Sequence, residues 1–169
     1  IDSEDYALPV LARMFKEYDA DTAPADMTKI SKALDAADGF VIVSAEYNHS
    51  VPAALKNLLD HFQAEYLYKP SAIVTYSAGP FGGVRALVNL RAILAELGTP
   101  SIPSAFPVSQ VHKAFDDEGN ALEESYERRI IKFLDEYEWY ADALCRKRRA
   151  EYCDTALPAQ QALCRGSRD

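Results

Sequence analysis

The sequence has little cysteine and no long apolar run, and each shortage excludes a class of protein. Its three cysteines lie between residues 145 and 164, form no metal-binding spacing, and argue by their odd number against a disulfide framework. No apolar run approaches the roughly 20 residues that a membrane helix needs. Lysine and arginine number 18 against 26 aspartates and glutamates, and the resulting net charge of -8 disfavours broad binding to nucleic acid.

The remaining composition is that of one globular domain. The first five residues are acidic and lack the basic and then apolar pattern of a signal peptide, so we expect a cytoplasmic protein. A chain of 169 residues with 49% hydrophobic and 26% charged residues is long and apolar enough for one sizeable core. We expect the domain over residues 1–149 and a C-terminal tail without a hydrophobic period over residues 150–169.

Apolar, β-branched runs alternate with amphipathic segments along the chain. The runs at residues 39–44, 71–77 and 102–111 predict strands, and helical spacing of apolar residues predicts helices over residues 26–37, 52–62, 84–97 and 122–149. Strands that are apolar throughout and alternate with helices are typical of a parallel sheet covered on both faces. The sequence therefore predicts a three-layer α/β domain.

Two loops follow predicted strands, at the edge where open α/β sheets bind their ligands. The first contains Glu46, Tyr47, Asn48 and Ser50 and leads directly into a helix. The second, residues 77–83, has three glycines in five residues, which lets the backbone approach a flat ligand. Two helix N-termini, each with a partial positive charge, would then face one crevice.

Such a crevice suits a planar, hydrogen-bonding heterocycle that becomes anionic on reduction, and a flavin fits that description. Each feature also has a structural interpretation when it is taken alone. A glycine-rich loop is often only a tight connection, Tyr47 is compatible with a surface aromatic, and Asn48 with a turn or helix cap. The residues by themselves therefore indicate a ligand crevice and no more.

Two longer motifs carry a family resemblance. Residues 46–60, E-Y-N-H-S-V-P-A-A-L-K-N-L-L-D, resemble the signature P-E-Y-N-x-S-x-P-x-x-L-K-N-x-x-D of the NADPH-dependent FMN reductase family, with Ala45 where proline is usual. Lys69-Pro70, residues 79–83 and residues 85–91 are similar to its pattern K-P…G-x-x-G-G-x-R-A-x-x-x-L-R. This flavodoxin-like group includes quinone, azo-dye and chromate reductases, and the resemblance extends from about residue 6 to about residue 143.

The resemblance implies both a cofactor and the residues that hold it. One side of an FMN ring would be lined by Glu46, Tyr47, Asn48 and Ser50, and the pyrimidine edge would be contacted, largely through backbone atoms, by Ser77, Gly79, Gly82 and Gly83. A hydride would pass from NADPH or NADH to N5 of FMN, and two electrons would then reduce a quinone, azo compound, free flavin or similar small acceptor. No protein nucleophile and no metal is required. The family also implies a homodimer or homotetramer with the flavin near the interface.

One part of the family pattern has no counterpart in the sequence. Members usually begin with a strand, a phosphate loop of the type G-S-x-R-x-x-S, a helix and a second strand, whereas residues 1–9 resemble the end of that second strand. The resemblance thus implies an N-terminally incomplete flavodoxin-like fold. We expect an exposed apolar edge at the strand over residues 39–44, and weak FMN binding unless another chain completes the site.

The other conspicuous residues favour structural interpretations. Packing and hydrogen bonding inside a helix suit Lys56, Asn57 and Asp60, and Arg85 is the weaker candidate for a cofactor contact. The three histidines lack ligand spacing. The basic run over residues 146–149 most simply complements a helix C-terminus, with a localisation signal as the alternative, and the cysteines are interpreted as incidental thiols. Four aromatics of the last helix exceed what one buried stripe needs and suggest a subunit contact: Tyr126, Tyr137, Trp139 and Tyr140.

Two other functions remain compatible with the sequence. One is a truncated, non-catalytic flavodoxin-like subunit that acts only through subunit contacts. The other is a flavodoxin-type electron carrier that does not use NAD(P)H directly. A hydrolase using Ser44 or Ser50 is disfavoured because neither serine lies in a G-x-S-x-G elbow. The sequence leaves open the electron acceptor and the choice between NADPH and NADH.

Overall fold

The computed structural model describes residues 1–6, 8–19 and 21–155, except the side chains of residues 152–155. Its strands are β1 (Phe40–Ala45), β2 (Ser71–Tyr76) and β3 (Ser101–Val108), and its helices are α1 (Ala25–Ala36), α2 (Ala53–Asp60), α3 (Val84–Glu96) and α4 (Glu124–Thr155). The predicted alternation of strands and helices is confirmed. Most of the predicted tail, from residue 156 onward, lies outside the described residues, and so does the thiol of Cys153.

The three strands form one parallel sheet in the order β1-β2-β3. The third strand is shorter than the predicted range of residues 102–111. It ends at Val108, because Gln110 adopts a left-handed φ of +45° that breaks the extended chain, and a 3₁₀ turn follows at Val111–Lys113. The N–H of Val111 then bonds the carbonyl of Ser77, so this segment closes back over the end of β2.

Helices cover the two faces of the sheet unequally. On one face, apolar residues of α1, α2 and α3 form a continuous core with β1 and β2, centred on Met27, Ile30 and Ile73, all at most 1% exposed. On the other face, Phe133 of α4 packs with Phe106 of β3. That second core holds residues of β2 and β3 and none of β1, so α4 shields only two of the three strands.

Helix α4 differs from the predicted range of residues 122–149 at both ends. It begins at Glu124, because the backbones of residues 121 and 122 pair with those of residues 115 and 114. It continues to Thr155, since no glycine or proline interrupts the sequence before Pro158. The prediction that residues 146–149 complement a helix C-terminus is therefore wrong.

The basic run instead anchors α4 to the opposite end of the sheet. Arg148, whose side chain is 14% exposed, donates hydrogen bonds to the carbonyls of Asp38 and Tyr68 and pairs at 2.7 Å with the Asp38 carboxylate. Arg149 also reaches Asp38, at 3.5 Å. The adjacent thiol of Cys145 is buried, and burial together with Asp38 raises its pKa, which makes it a structural thiol.

Three of the four aromatics that suggested a subunit contact pack within the chain. The rings of Tyr126, Tyr137 and Tyr140 lie against the core formed by β3 and α4. Trp139 points outward and is 67% exposed. Of the four aromatics, only Trp139 is thus left largely exposed, because α4 buries a wider stripe of its surface than the helical spacing of its apolar residues indicated.

The two edges of the sheet are protected very differently. The outer edge of β3 carries Pro103 and Pro107, which lack N–H groups. Side chains of Arg91, Arg129 and Glu136 hydrogen-bond four of the strand's backbone groups. Among the described residues, no side chain from another element hydrogen-bonds the outer edge of β1 in this way. An open groove of about 870 Å³ runs along that edge, and the terminal residues 1–4 also line it. Because α4 does not reach β1, Val41 and Val43 are 43% and 60% exposed. The predicted exposed apolar edge is confirmed.

Candidate functional site

The loops that follow β1 and β2 meet at the carboxyl edge of the sheet. We call residues 46–52 the first loop and residues 77–83 the second loop. Glu46 joins them, since its Oε2 accepts hydrogen bonds from the backbone N–H groups of Arg85 at 2.9 Å and Ala86 at 3.2 Å, in the first turn of α3. Glu46 therefore holds the two loops next to each other, as expected for loops that follow neighbouring parallel strands.

The first loop is a tight, pinned turn. Tyr47 and Ser50 exchange backbone hydrogen bonds of 3.0 Å across it, while Asn48 and His49 adopt left-handed φ values of +50° and +64°. The side chain of Asn89, on α3, donates to the carbonyl of His49 at 3.2 Å and to Oγ of Ser50 at 3.3 Å. The turn leaves the Tyr47 ring 66% exposed. The exposed Tyr47 ring is thus attached to a turn that hydrogen bonds hold in place.

The second loop is held by hydrogen bonds to its carbonyl groups. Oγ of Ser77 and the N–H of Gln110 both donate to the carbonyl of Gly79, at 3.1 and 3.0 Å. The buried hydroxyl of Thr75, on β2, donates to the carbonyl of Gly82 at 2.8 Å. Sequence reasoning missed both Thr75 and Asn89. The signal for Thr75 was a polar residue within an otherwise apolar strand, immediately before the loop.

The glycines of the second loop serve two different purposes. Gly82 and Gly83 have φ values of +62° and +77°, and a Cβ would lie 3.0 Å from Cβ of Pro107 at the first and 2.9 Å from Cβ of Thr75 at the second. Both are needed for close packing of the chain on the sheet. Gly79 has nothing within 4 Å of its Cβ position. The expectation that all three glycines admit a ligand is thus supported by the geometry of Gly79 alone.

The N-terminus of α3 already holds one negative charge. Burial raises the pKa of Glu46, but the hydrogen bonds from Ala86 and Arg85 and the Arg85 charge outweigh that effect and lower it overall. The Arg85 guanidinium lies 3.5 Å from Oε1 of Glu46 and 5.1 Å from the centre of the exposed Phe81 ring. Within the described ranges, the preceding N–H groups of Gly83 and Val84 have no protein acceptor.

The open groove beside β1 overlaps the predicted site only in part. Tyr47 lines the groove together with Ala45 and Tyr76, the last residues of β1 and β2. The other seven predicted residues, Glu46, Asn48, Ser50, Ser77, Gly79, Gly82 and Gly83, do not line the groove but cluster on the two loops above it. The site is therefore a loop surface at the end of the sheet rather than an enclosed cavity.

Residues of α2 that the sequence assigned to structure have structural partners. Nζ of Lys56 pairs with the Asp60 carboxylate at 2.5 Å. The amide of Asn57 accepts a hydrogen bond from the N–H of Leu11 and donates one to the carbonyl of Pro9. In the part of the chain that the structure describes, no cluster of three or more histidine, cysteine or acidic residues is arranged to hold a metal, and no helix is long and apolar enough to span a membrane.

Comparison with known proteins identifies the family. The sequence profile described as NADPH-dependent FMN reductase matches residues 1–113. The 2-hydroxy-1,4-benzoquinone reductase of a Burkholderia species is 32% identical over 150 residues, covering 83% of this chain and 73% of that protein. The quinone reductase of Escherichia coli K12 is 40% identical over 100 residues, covering 54% of this chain and 53% of that protein.

Other relatives define the extent of the match. The NADH:(hydroxy)cinnamate reductase subunit CrdA of Vibrio ruber is 36% identical over 116 residues, covering 65% of this chain and 57% of that subunit. The chain therefore spans little more than half the length of several relatives. The flavoenzyme NAD(P)H:(acceptor) oxidoreductase FerB of Paracoccus denitrificans matches with a TM-score of 0.64 at 24% identity, over 83% of this chain and 76% of FerB, which supports the flavodoxin-like fold.

Both loops of the site lie inside the profile match, which takes in 113 of the 169 residues. On that match, and on the fold that agrees with it, the chain belongs to the NADPH-dependent FMN reductase family.

Proposed function

We propose that this chain holds the flavin ring of an NAD(P)H-dependent FMN oxidoreductase that reduces a small acceptor such as a quinone or an azo compound. The observation that carries the proposal is the joining of two βα loops by Glu46 at the carboxyl edge of a parallel sheet. In open α/β sheets this edge is where ligands bind. Two of the relatives named above are quinone reductases, which favours an acceptor of that class.

The groups present on the two loops fit a flat heterocycle with hydrogen-bonding edges. The exposed ring of Tyr47 offers an aromatic face, and the open backbone at Gly79 allows close approach. The N–H groups of Gly83 and Val84 are donors at a helix N-terminus. Of the eight residues predicted from the motifs, we propose that seven contact FMN: Tyr47, Asn48, Ser50, Ser77, Gly79, Gly82 and Gly83. The eighth, Glu46, joins the two loops that carry them.

FMN, when bound, supplies the redox chemistry by accepting a hydride from NAD(P)H and passing two electrons to the acceptor. The residues of the chain supply orientation. The hydrogen bonds from Thr75, Ser77 and Asn89 fix the loops before any ligand arrives, so little conformational freedom is lost on binding. The exposed rings of Tyr47 and Phe81 provide apolar surfaces on which a planar acceptor can stack.

We expect the 169-residue chain to bind FMN and riboflavin with similar affinity. The residues that fit the ring are present, whereas no G-S-x-R-x-x-S loop occurs in the sequence to hold the phosphate. Titrating each flavin with the protein and following the quenching of flavin fluorescence measures both dissociation constants. An FMN affinity more than about tenfold above that of riboflavin, worth about 1.4 kcal/mol, would place a phosphate site within these residues and contradict the expectation.

A pair of variants tests whether the second loop contacts the ring. In Gly79→Val the new side chain fills the open space beside the loop without meeting protein atoms at the Cβ position, so we expect flavin quenching to be lost while the fold is kept. The neighbouring Ala78→Val adds similar bulk at another exposed position and serves as the control. Equal flavin binding by Gly79→Val and the unmodified chain would remove this loop from the site.

We further propose that the protein forms a homodimer in the cytoplasm and that its subunits meet through α3. Val88 is 66% exposed on this helix, and Phe81 and Val84 extend the same apolar surface towards the loops. A contact there would bring the flavin site close to the subunit interface.

A further inference from the structure

We propose that Glu46 is a positioning residue, which fixes the two loops and sets the charge at the N-terminus of α3, rather than a ligand of the flavin ring. This inference rests on the proposed flavin site. It assigns to the most buried charged side chain of that site a function that the family motif alone does not indicate.

Both oxygens of the carboxylate are already engaged by the protein. Oε2 accepts the N–H groups of Arg85 and Ala86 at 2.9 and 3.2 Å, and Oε1 faces the Arg85 guanidinium at 3.5 Å. The side chain is 9% exposed. A carboxylate in this arrangement has few lone pairs left for a ring and little freedom to turn towards one.

The contact joins residues 39 and 40 positions apart in the sequence. The first loop is otherwise tied to α3 by the hydrogen bonds of Asn89, which are 3.2 and 3.3 Å long. If the carboxylate were removed, the position of Tyr47 relative to the second loop would depend on these bonds and on the backbone bond from the N–H of Glu46 to the carbonyl of Tyr76, at 3.1 Å. Since a site must be held closely to its productive geometry, a looser separation lowers flavin affinity.

The same carboxylate also offsets the partial positive charge of the helix. A helix N-terminus favours a neighbouring anion, and Glu46 supplies that anion permanently. A flavin that gains negative charge on reduction would meet a site whose helix is already neutralised. Glu46 therefore makes reduction of a bound flavin less favourable than the bare helix N-terminus would.

Substitution by glutamine separates the two effects. In Glu46→Gln the amide oxygen can still accept both backbone hydrogen bonds, while the negative charge is lost. We expect flavin affinity within about threefold of that of the unmodified chain, but a reduction equilibrium about tenfold more favourable, equivalent to a midpoint potential about 30 mV higher for two electrons. In Glu46→Ala both bonds are lost, and flavin affinity falls about tenfold. Glu96→Gln removes a charge from the opposite end of α3 and should leave the potential unchanged.

The outcomes distinguish the role of Glu46 from the proposed function. An affinity loss in Glu46→Gln as large as in Glu46→Ala would mean that the carboxylate contacts the ring itself, and an unchanged potential would mean that its charge has no influence there. Either result overturns the inference. Without flavin, the amide proton shifts of Arg85 and Ala86 should follow the titration of Glu46 in NMR spectra. Shifts that do not follow it would exclude the hydrogen bonds between Glu46 and the first turn of α3. Normal titration together with absent flavin binding overturns the proposed function, and with it the role of Glu46 towards a flavin.

Discussion

Gly83→Ala is expected to lower the free energy of unfolding by about 3 kcal/mol, the sum of backbone strain and overpacking. The φ of Gly83 is +77°, a region that alanine adopts only with strain, and the new Cβ would lie 2.9 Å from Cβ of Thr75 and 3.1 Å from the carbonyl oxygen of Tyr76. Because β2 is the central strand, the backbone cannot move aside without disturbing both of its partners. Urea-induced unfolding measures the loss directly.

Gly79→Ala is the matched control for this substitution. The two glycines lie four residues apart on the same loop, but the Cβ position at Gly79 has nothing within 4 Å. We expect its free energy of unfolding to change by less than about 0.5 kcal/mol, the usual range for surface substitutions. Equal stability losses in the two variants would show that the close contact of Gly83 with the sheet does not hold the second loop.

We expect the open apolar edge of β1 to make the chain associate with itself into larger species, and Val43→Lys to abolish that association. The outer edge of β1 is uncovered, and Val43 is 60% exposed beside the groove. Burying a valine against a second chain contributes about 1.5–3 kcal/mol, so placing a lysine there weakens each contact by about tenfold or more. Sedimentation velocity of the two proteins at equal concentration would measure the change.

The wall of the groove contains a buried hydroxyl group that takes no part in the expected association. Tyr66 lines it, and the phenol oxygen is buried without a partner in the described part of the chain. Burial and the neighbouring Glu65 raise the pKa of Tyr66, which keeps the hydroxyl protonated as a donor.

Val88→Lys is the control for the edge substitution. Val88 has similar exposure, 66%, but lies on α3, away from β1. We expect it to dissociate the proposed discrete dimer while the larger species persist, whereas Val43→Lys should have the reverse effect. Larger species that survive Val43→Lys would mean that the open strand edge is not the site of association.

The sequence was sufficient for the helices and strands and for the adjacency of the two loops. Every predicted helix and strand exists, since apolar spacing and β-branched runs are local signals. The sequence-based prediction was wrong where contacts between residues distant in the sequence determine the structure. The strand predicted to reach residue 111 ends at Val108 because Gln110 turns the chain back over β2. The subunit contact predicted for the aromatics of α4 stays a prediction, although its three tyrosines pack partly against the core within the chain.

Within the candidate site, the motif predicts which residues are involved but does not indicate what each one contacts. Nothing local to Glu46 reveals that its carboxylate binds the first turn of a helix 39 residues later. The glycines of the second loop look equivalent in sequence, yet Gly83 packs against Thr75 while Gly79 is open, because only the fold determines which neighbour each one meets. Thr75 and Asn89 hydrogen-bond the loops, but they lie on β2 and α3, where the surrounding sequence indicates only packing.

The central claim is that these loops hold a flavin that NAD(P)H reduces. Its most direct test is to load the chain with excess FMN, remove oxygen, add NADPH, and follow the visible absorption band of oxidised flavin. We predict that the band decays faster than in a mixture of free FMN and NADPH, and that it returns when a quinone is added. Decay no faster than with free FMN, despite saturating flavin, would contradict the claim.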